Sequence, residues 1–144
     1  MIAVDTNILI YSHRAETDLH KKSLAKLTGL TEGSEPWVIP VFCITEFLRV
    51  VTHARVFNPP SRLEVAIRFI EQLLESPTCR VVSPGDDFIE HLKTLLLESS
   101  AQGNLVFDAQ IAAVCRERGI TDILTNDRDF KKFNSLNVII LDDE

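Results

Sequence analysis

Short apolar runs alternate with longer amphipathic stretches along this chain. Ile2–Val4, Trp37–Ile39, Arg80–Val82, Asp122–Thr125 and Val138–Leu141 read as five strands. They are short and do not alternate apolar with polar, the pattern of strands covered on both faces. The stretches between them carry helical spacing. Ile8–Ser12 begins one helix, and residues 20–30 place Leu24, Leu27 and Leu30 on one face of another. Pro40 fits the first turn of a helix running to about Thr52. Ser61-Arg62-Leu63-Glu64 matches a capping box, opening a helix with Leu63, Ala66, Ile67, Ile70 and Leu74 on one stripe. Phe88, Ile89, Leu92, Leu95 and Leu96 mark the next helix. Asn104 can cap the last long one, Leu105–Arg118, which Gly119 stops. Residues 126–134 read as a turn with a short helix.

Strands joined through helices imply right-handed crossovers and a parallel sheet. The expectation is an α/β fold: one three-layer α/β/α domain over residues 1–144, with a five-stranded parallel sheet. Sites in such sheets form beyond the carboxyl ends of the strands.

Several acids sit where the apolar pattern leaves them costly. Asp5 ends the first strand in I-A-V-D-T-N-I-L-I, and a carboxylate in so apolar a run needs compensation. It also suits a helix cap, as do Thr6 and Asn7. Glu46, in F-C-I-T-E-F-L-R-V, has Phe42, Cys43 and Val50 as helical neighbours, with Arg49 available for a local ion pair. Asp108 lies in line with Leu105, Ile111, Ala112 and Cys115, on the buried stripe of its helix; a helix N-terminus favours a carboxylate there in any case. Asp127 follows the fourth strand, with Asp129 two residues on, and either can cap the short helix before Phe130. Thr125, at the strand end, can orient a carboxylate or a water. A parallel sheet can bring Asp5, Glu46, Asp108 and Asp127 together.

Composition sharpens this picture. The 144 residues are 45% hydrophobic and 25% charged, as in an ordinary globular domain. The formal charge of −6 lacks the basic face of a generic nucleic-acid binder. Four converging carboxylates repel unless protonated or paired with cations, and all-oxygen ligation suits Mg²⁺ or Mn²⁺. One or two such ions can bind a phosphodiester, lower the pKa of a bound water and stabilise a leaving oxygen. They would also supply the positive charge the chain lacks, with Arg49 or Arg128 as further candidates for gripping phosphates. His13, His20, His53 and His91 are dispersed without ligand spacing. Cys43, Cys79 and Cys115 are odd in number and form no C-x-x-C pair, so free thiols in a reducing compartment are expected. No basic leader precedes the first strand and no apolar run approaches ~18 residues. A cytoplasmic protein, off the membrane, is expected.

D-T-N-I-L at Asp5–Leu9, the helical Glu46, D-A-Q-I-A-A at Asp108–Ala113 and T-N-D-R-D-F at Thr125–Phe130 together resemble the PIN domain family. With T-E-F-L-R-V-V-T-H-A-R-V-F at Thr45–Phe57, the whole chain is similar to the VapC-type ribonuclease toxins of type II toxin–antitoxin systems. The resemblance implies a metal-dependent endoribonuclease that hydrolyses RNA with a metal-activated water. Its acids correspond to Asp5, Glu46, Asp108 and Asp127, with Asp129 competing for the last role and Asn7 and Thr125 orienting the carboxylates. It further implies Mg²⁺ or Mn²⁺ as cofactor, a homodimer, and a cognate VapB-type antitoxin. No family acid is missing, so an active enzyme is expected. An RNA-processing nuclease without an antitoxin and a catalytically idle binding module are the other readings of the same fold. Haloacid dehalogenase-type phosphotransferases need an aspartate where Asn7 stands. A receiver domain needs a phospho-acceptor where Ser83-Pro84 follows the third strand.

Overall fold

The computed structural model describes residues 1–143. Its first half runs β1 (Ile2–Val4), α1 (Thr6–His13), α2 (His20–Glu32), β2 (Trp37–Pro40), α3 (Val41–Val51) and α4 (Leu63–Leu74). The second half runs β3 (Cys79–Val82), α5 (Phe88–Ser99), α6 (Leu105–Glu117), β4 (Asp122–Thr125) and β5 (Asn137–Ile140), with a 3₁₀ turn at Arg128–Lys132. The five strands form one parallel sheet in the order β3-β2-β1-β4-β5. Right-handed crossovers place α1–α4 on one face and α5–α6 on the other. The packing agrees: α1 lies against α2 and α3, and α5 against α6. The layers are α/β/α, as the sequence pattern predicts.

The order reverses direction at β1. The chain leaves β1 toward β2 and β3, then returns to β4 on its other side. Helices on opposite faces splay apart there, opening a crevice at the carboxyl edge between β1 and β4. Register fixes which residues meet in it. Val4 pairs with Leu124, and the Asp5 N–H donates to the Leu124 carbonyl at 3.0 Å. Asp5 and Thr125 are therefore neighbours across the sheet, although 120 positions apart in sequence.

The core explains most of the pattern and corrects part of it. β2 is buried throughout, with Trp37 and Ile39 fully enclosed. β3, at the sheet edge, exposes Arg80 and Val81, so cover on both faces holds for the interior strands only. Pro40 ends β2 and occupies the N-cap of α3 instead of its first turn. The α4 stripe is rotated: Ala66, Ile70 and Leu73 are buried while Leu63, Ile67 and Leu74 are exposed. The apolar arc of this helix is wider than the surface that α3 and β3 cover, and packing against them buries the part holding Ala66, Ile70 and Leu73. Leu24 on α2 and Ile89 on α5 are exposed as well. The Ser61 capping box does not form. Ser61 Oγ bonds His13 Nε2 and Arg14 Nη1, both at 2.9 Å, and Arg62 occupies the N-cap without a side-chain bond. Asn104 likewise stands at the N-cap of α6 without capping it through its side chain. Among the described residues no helix is long and apolar enough to cross a membrane, and the three cysteines are free.

Gly119 ends α6 at φ 72°, a left-handed conformation that a Cβ disfavours. No atom lies within 4 Å of where that Cβ would sit. Gly119→Ala is expected to destabilise the fold by about 1 kcal/mol through backbone strain alone. Urea unfolding of the two proteins measures it, and an unchanged midpoint would contradict the strain argument.

Candidate functional site

Asp5 is the deepest acid at the crevice, with 4% of its surface exposed. Its backbone is extended (φ −79°, ψ 162°) as it leaves β1 and caps α1, the Thr6 N–H donating to Oδ1 at 2.7 Å. The capping role and the site role thus fall on the same carboxylate. Its Oδ2 accepts from Thr125 Oγ1 at 2.7 Å and from Asn7 Nδ2 at 3.3 Å. Thr125 Oγ1 in turn accepts from the Asp127 N–H at 3.0 Å, so one hydroxyl ties the first strand's acid to the fourth strand's loop. Asn7 Oδ1 closes the ring by accepting from the Asn126 N–H at 3.1 Å. Among the described residues, every buried side-chain polar atom has a partner.

Above this buried layer stand the other acids. Asp108, Asp127 and Asp129 each offer a carboxylate oxygen, and the three oxygens lie within 4.8 Å of one another. Asp108 is held there because Ile111, Ala112 and Cys115, on its own helix face, are buried in the core. Asp127 caps the 3₁₀ turn, its Oδ1 accepting from the Asp129 N–H at 2.9 Å. That turn brings Asp129 round to the same side, where Lys132 Nζ lies 3.4 Å from it. Glu46 reaches the site from α3, and Thr6 Oγ1 donates to its Oε2 at 3.2 Å.

Crowding these acids has an electrostatic cost. Burial pushes the Asp5 carboxyl up to about 6. The hydrogen bonds from Thr125 and Thr6 pull it back, and Glu46 and Asp127 push it further up. Asp108 rises to about 7, first through burial and then through the charges of Asp127, Asp5, Asp129 and Glu46. All five acids therefore share one electrostatic environment. A set of hard carboxylate oxygens, two of them held above their ordinary range by burial and mutual repulsion, fits a divalent cation of the Mg²⁺ or Mn²⁺ kind.

The four acids singled out in the sequence thus converge, together with Asn7 and Thr125. Asp129, ambiguous in sequence, stands with Asp108 and Asp127 in the close triplet, and Asp5 and Glu46 flank it. Thr6 also belongs to the network; its local cap signal gave no hint of the bond to Glu46. Asn126 is a further member, its Oδ1 accepting from the Asp142 N–H at 3.1 Å. Arg128 turns away and pairs with Asp143, so it grips no phosphate in this arrangement. Among the described residues no histidine joins the close acidic group; His13 packs between Phe47 and Phe69, and His20 bonds the Tyr11 carbonyl. Cys43 Sγ lies 3.8 Å from Asp5 Oδ1, and burial holds its thiol well above the ordinary range, so it stays protonated.

Both raised carboxyls bind protons more tightly in the folded chain than in the unfolded one. Stability without a divalent cation therefore falls as pH rises from about 4 to about 7. With the half-buried Asp108 discounted for screening, the loss between pH 5 and pH 8 is roughly 2 kcal/mol. Denaturant titrations in EDTA at the two pH values are expected to show it, with a shallower slope for Asp5→Asn. Equal stability at both pH values would mean that the carboxylates are not in conflict.

Residues 2–136 match the PIN domain family model. Ribonuclease VapC43 of Mycobacterium tuberculosis is 34% identical over 136 residues, covering 94% of this chain and 92% of its own length. Ribonuclease VapC25 of the same organism is 30% identical over 139 residues, covering 96% and 97%. Among solved structures, M. tuberculosis VapC20, described as a sarcin-ricin loop cleaving toxin, has a TM-score of 0.69 at 19% identity, covering 94% of this chain and 98% of its own. VapBC2 from Rickettsia felis, bound to a DNA fragment from their promoter, gives 0.71 at 18% identity, covering 97% and 98%. These two likenesses are of fold. By sequence and by architecture, the chain belongs to the PIN domain family, in its VapC ribonuclease branch.

Proposed function

We propose that this chain is an endoribonuclease, the toxin of a toxin–antitoxin pair, and that it hydrolyses RNA phosphodiester bonds with the help of a divalent cation. One observation carries the reading. Asp108, Asp127 and Asp129 converge within 4.8 Å beside the buried Asp5 and Glu46, in a chain 34% identical to a VapC ribonuclease.

Asp5, Asp108 and Asp127 are the residues we assign to hold Mg²⁺ or Mn²⁺, with Asp129 sharing the role of Asp127. A bound cation supplies positive charge for the phosphate, a lowered pKa for water and stabilisation of the leaving oxygen. The chain's own groups arrange the rest. Thr125 and Asn7 fix the orientation of Asp5 through its Oδ2, as groups behind a ligand commonly do. The Asp129 N–H holds the Asp127 carboxylate. Glu46, with Oε2 engaged by Thr6, keeps Oε1 to align a water or to meet a second ion.

The reading takes residues 1–144 as one PIN domain, supported by a single hydrophobic cluster that draws on all five strands. A homodimer, a VapB-type antitoxin partner and a cytoplasmic location complete it. Exposed Leu63, Val65, Ile67 and Leu74 on α4 supply apolar surface of the kind a protein contact uses, and the free thiols suit a reducing compartment.

The purified protein is expected to cleave RNA in Mg²⁺ or Mn²⁺ but not in EDTA. Asp108→Asn should fold and lose roughly a hundredfold or more of the rate. Mg²⁺ should raise the melting temperature of the wild type and do so much less for Asp108→Asn. Cleavage at the wild-type rate by the variant would remove Asp108 from the mechanism, and equal thermal shifts would place the ion elsewhere.

A further inference from the structure

Beside the acids lies a cleft of about 490 Å³ between α3 and α6, lined by Phe42, Thr45, Glu46 and Arg49 from one helix and Phe107, Gln110 and Ile111 from the other. The spacings, i, i+3, i+4, i+7 on α3 and i, i+3, i+4 on α6, are those of a single face on each helix. Phe107 is 61% exposed, although a phenylalanine normally seeks the core. Phe42 is braced from behind by Phe88, their ring centroids 5.8 Å apart. Arg49 is exposed and has no ion pair among the described residues. Two aromatic rings, an amide and an unpaired guanidinium make an unusual lining next to a cluster of carboxylates.

We propose that this cleft is a nucleotide subsite, in which an unpaired RNA base next to the scissile phosphate stacks on Phe107 while Arg49 meets a neighbouring phosphate. The inference rests on the ribonuclease reading and deepens it. The cleft is continuous with the acid centre at two points: Glu46 belongs to both, and Phe107 directly precedes Asp108. A strand crossing the acids would lay its next base into the cleft. Aromatic side chains accept any base by its π-face, and unpaired bases are the ones splayed out for such contacts. Arg49 matches the phosphate in charge and has no internal competitor. The Gln110 amide can both donate and accept, and so can read a base edge. The subsite therefore favours single-stranded or looped RNA over continuous duplex.

The test uses a ten-nucleotide single-stranded RNA with a central 2-aminopurine, in Ca²⁺ in place of Mg²⁺ so that binding is read without turnover. Stacking quenches 2-aminopurine fluorescence. The wild type and Phe107→Trp are expected to quench it; Phe107→Ala and Phe107→Leu should lose the quench and bind roughly tenfold more weakly. Arg49→Gln should weaken binding and flatten its salt dependence while keeping the quench. Phe107 is exposed, so these variants should keep the wild-type melting temperature. Equal binding and quench across wild type, Phe107→Ala and Phe107→Leu would overturn the inference and leave the cleft to a partner protein's segment. The cleavage assay on the same proteins separates the two ideas. Cleavage that depends on Asp108 but is indifferent to Phe107 retains the ribonuclease and removes the subsite. Quenching without any cleavage by the wild type in Mg²⁺ retains the subsite and removes the ribonuclease.

Discussion

The site depends on one buried carboxylate and the three groups that hold it. Asp5 follows β1, caps α1 and accepts from Thr6, Asn7 and Thr125. An uncompensated carboxylate at that depth would simply take up a proton. The hydrogen bonds counter that tendency, leaving the group at about 6 despite its burial. They also fix position, because Asn7 and Thr125 bond to each other and to the loop that presents Asp127. The sheet register brings Thr125 beside Asp5, so the geometry of the centre follows from strand pairing at the switch point.

Charge links this arrangement to function. The chain carries a net −6, and five acids crowd together at the carboxyl edge of the sheet, where the proposed reading puts a polyanion. A divalent cation would reconcile the two, because it would be attracted by the same carboxylates that repel a phosphate. The conflict is visible in Asp108, held at about 7 by burial and by four neighbouring acids. A structure built for stability alone would relieve this repulsion.

The fold was legible because its signals are local and repeated. Five short apolar runs separated by amphipathic helices leave few topologies once crossovers are right-handed, and β1 and β4 lie where the pattern places them. The acids were legible because each interrupts an apolar pattern: Asp108 is in line with Ile111, Ala112 and Cys115, and Asp5 closes a strand. What stayed hidden depends on partners distant in sequence. Ser61 reads as a cap, yet His13 and Arg14 claim its hydroxyl. Thr6 reads as a turn residue, yet it holds Glu46 from 40 positions away. The α4 stripe is right at Ala66 and Ile70 but turned at its margin, because the apolar arc is wider than the surface α3 and β3 cover and packing takes Leu73 in place of Leu63, Ile67 and Leu74. Asp129 could not be separated from Asp127 because the turn between them is set by a backbone bond, not by an apolar period.

The phase of α6 decides more than the position of Asp108. Successive residues on a helix point about 100° apart, so burying Ile111, Ala112 and Cys115 turns Asp108 to the sheet edge and Phe107 outward to the neighbouring groove. The phenylalanine cannot join the core without taking the aspartate out of the site. Its exposure is therefore a consequence of the same constraint that places the carboxylate, and its surroundings decide whether that exposure is put to use. Phe42, Glu46 and Arg49 come to meet it because α3 presents them on a single face, whose opposite side buries Cys43 and Phe47. Two helices, each phased by its own buried residues, so bring an acid, an aromatic ring and a cation into one groove beside the switch point.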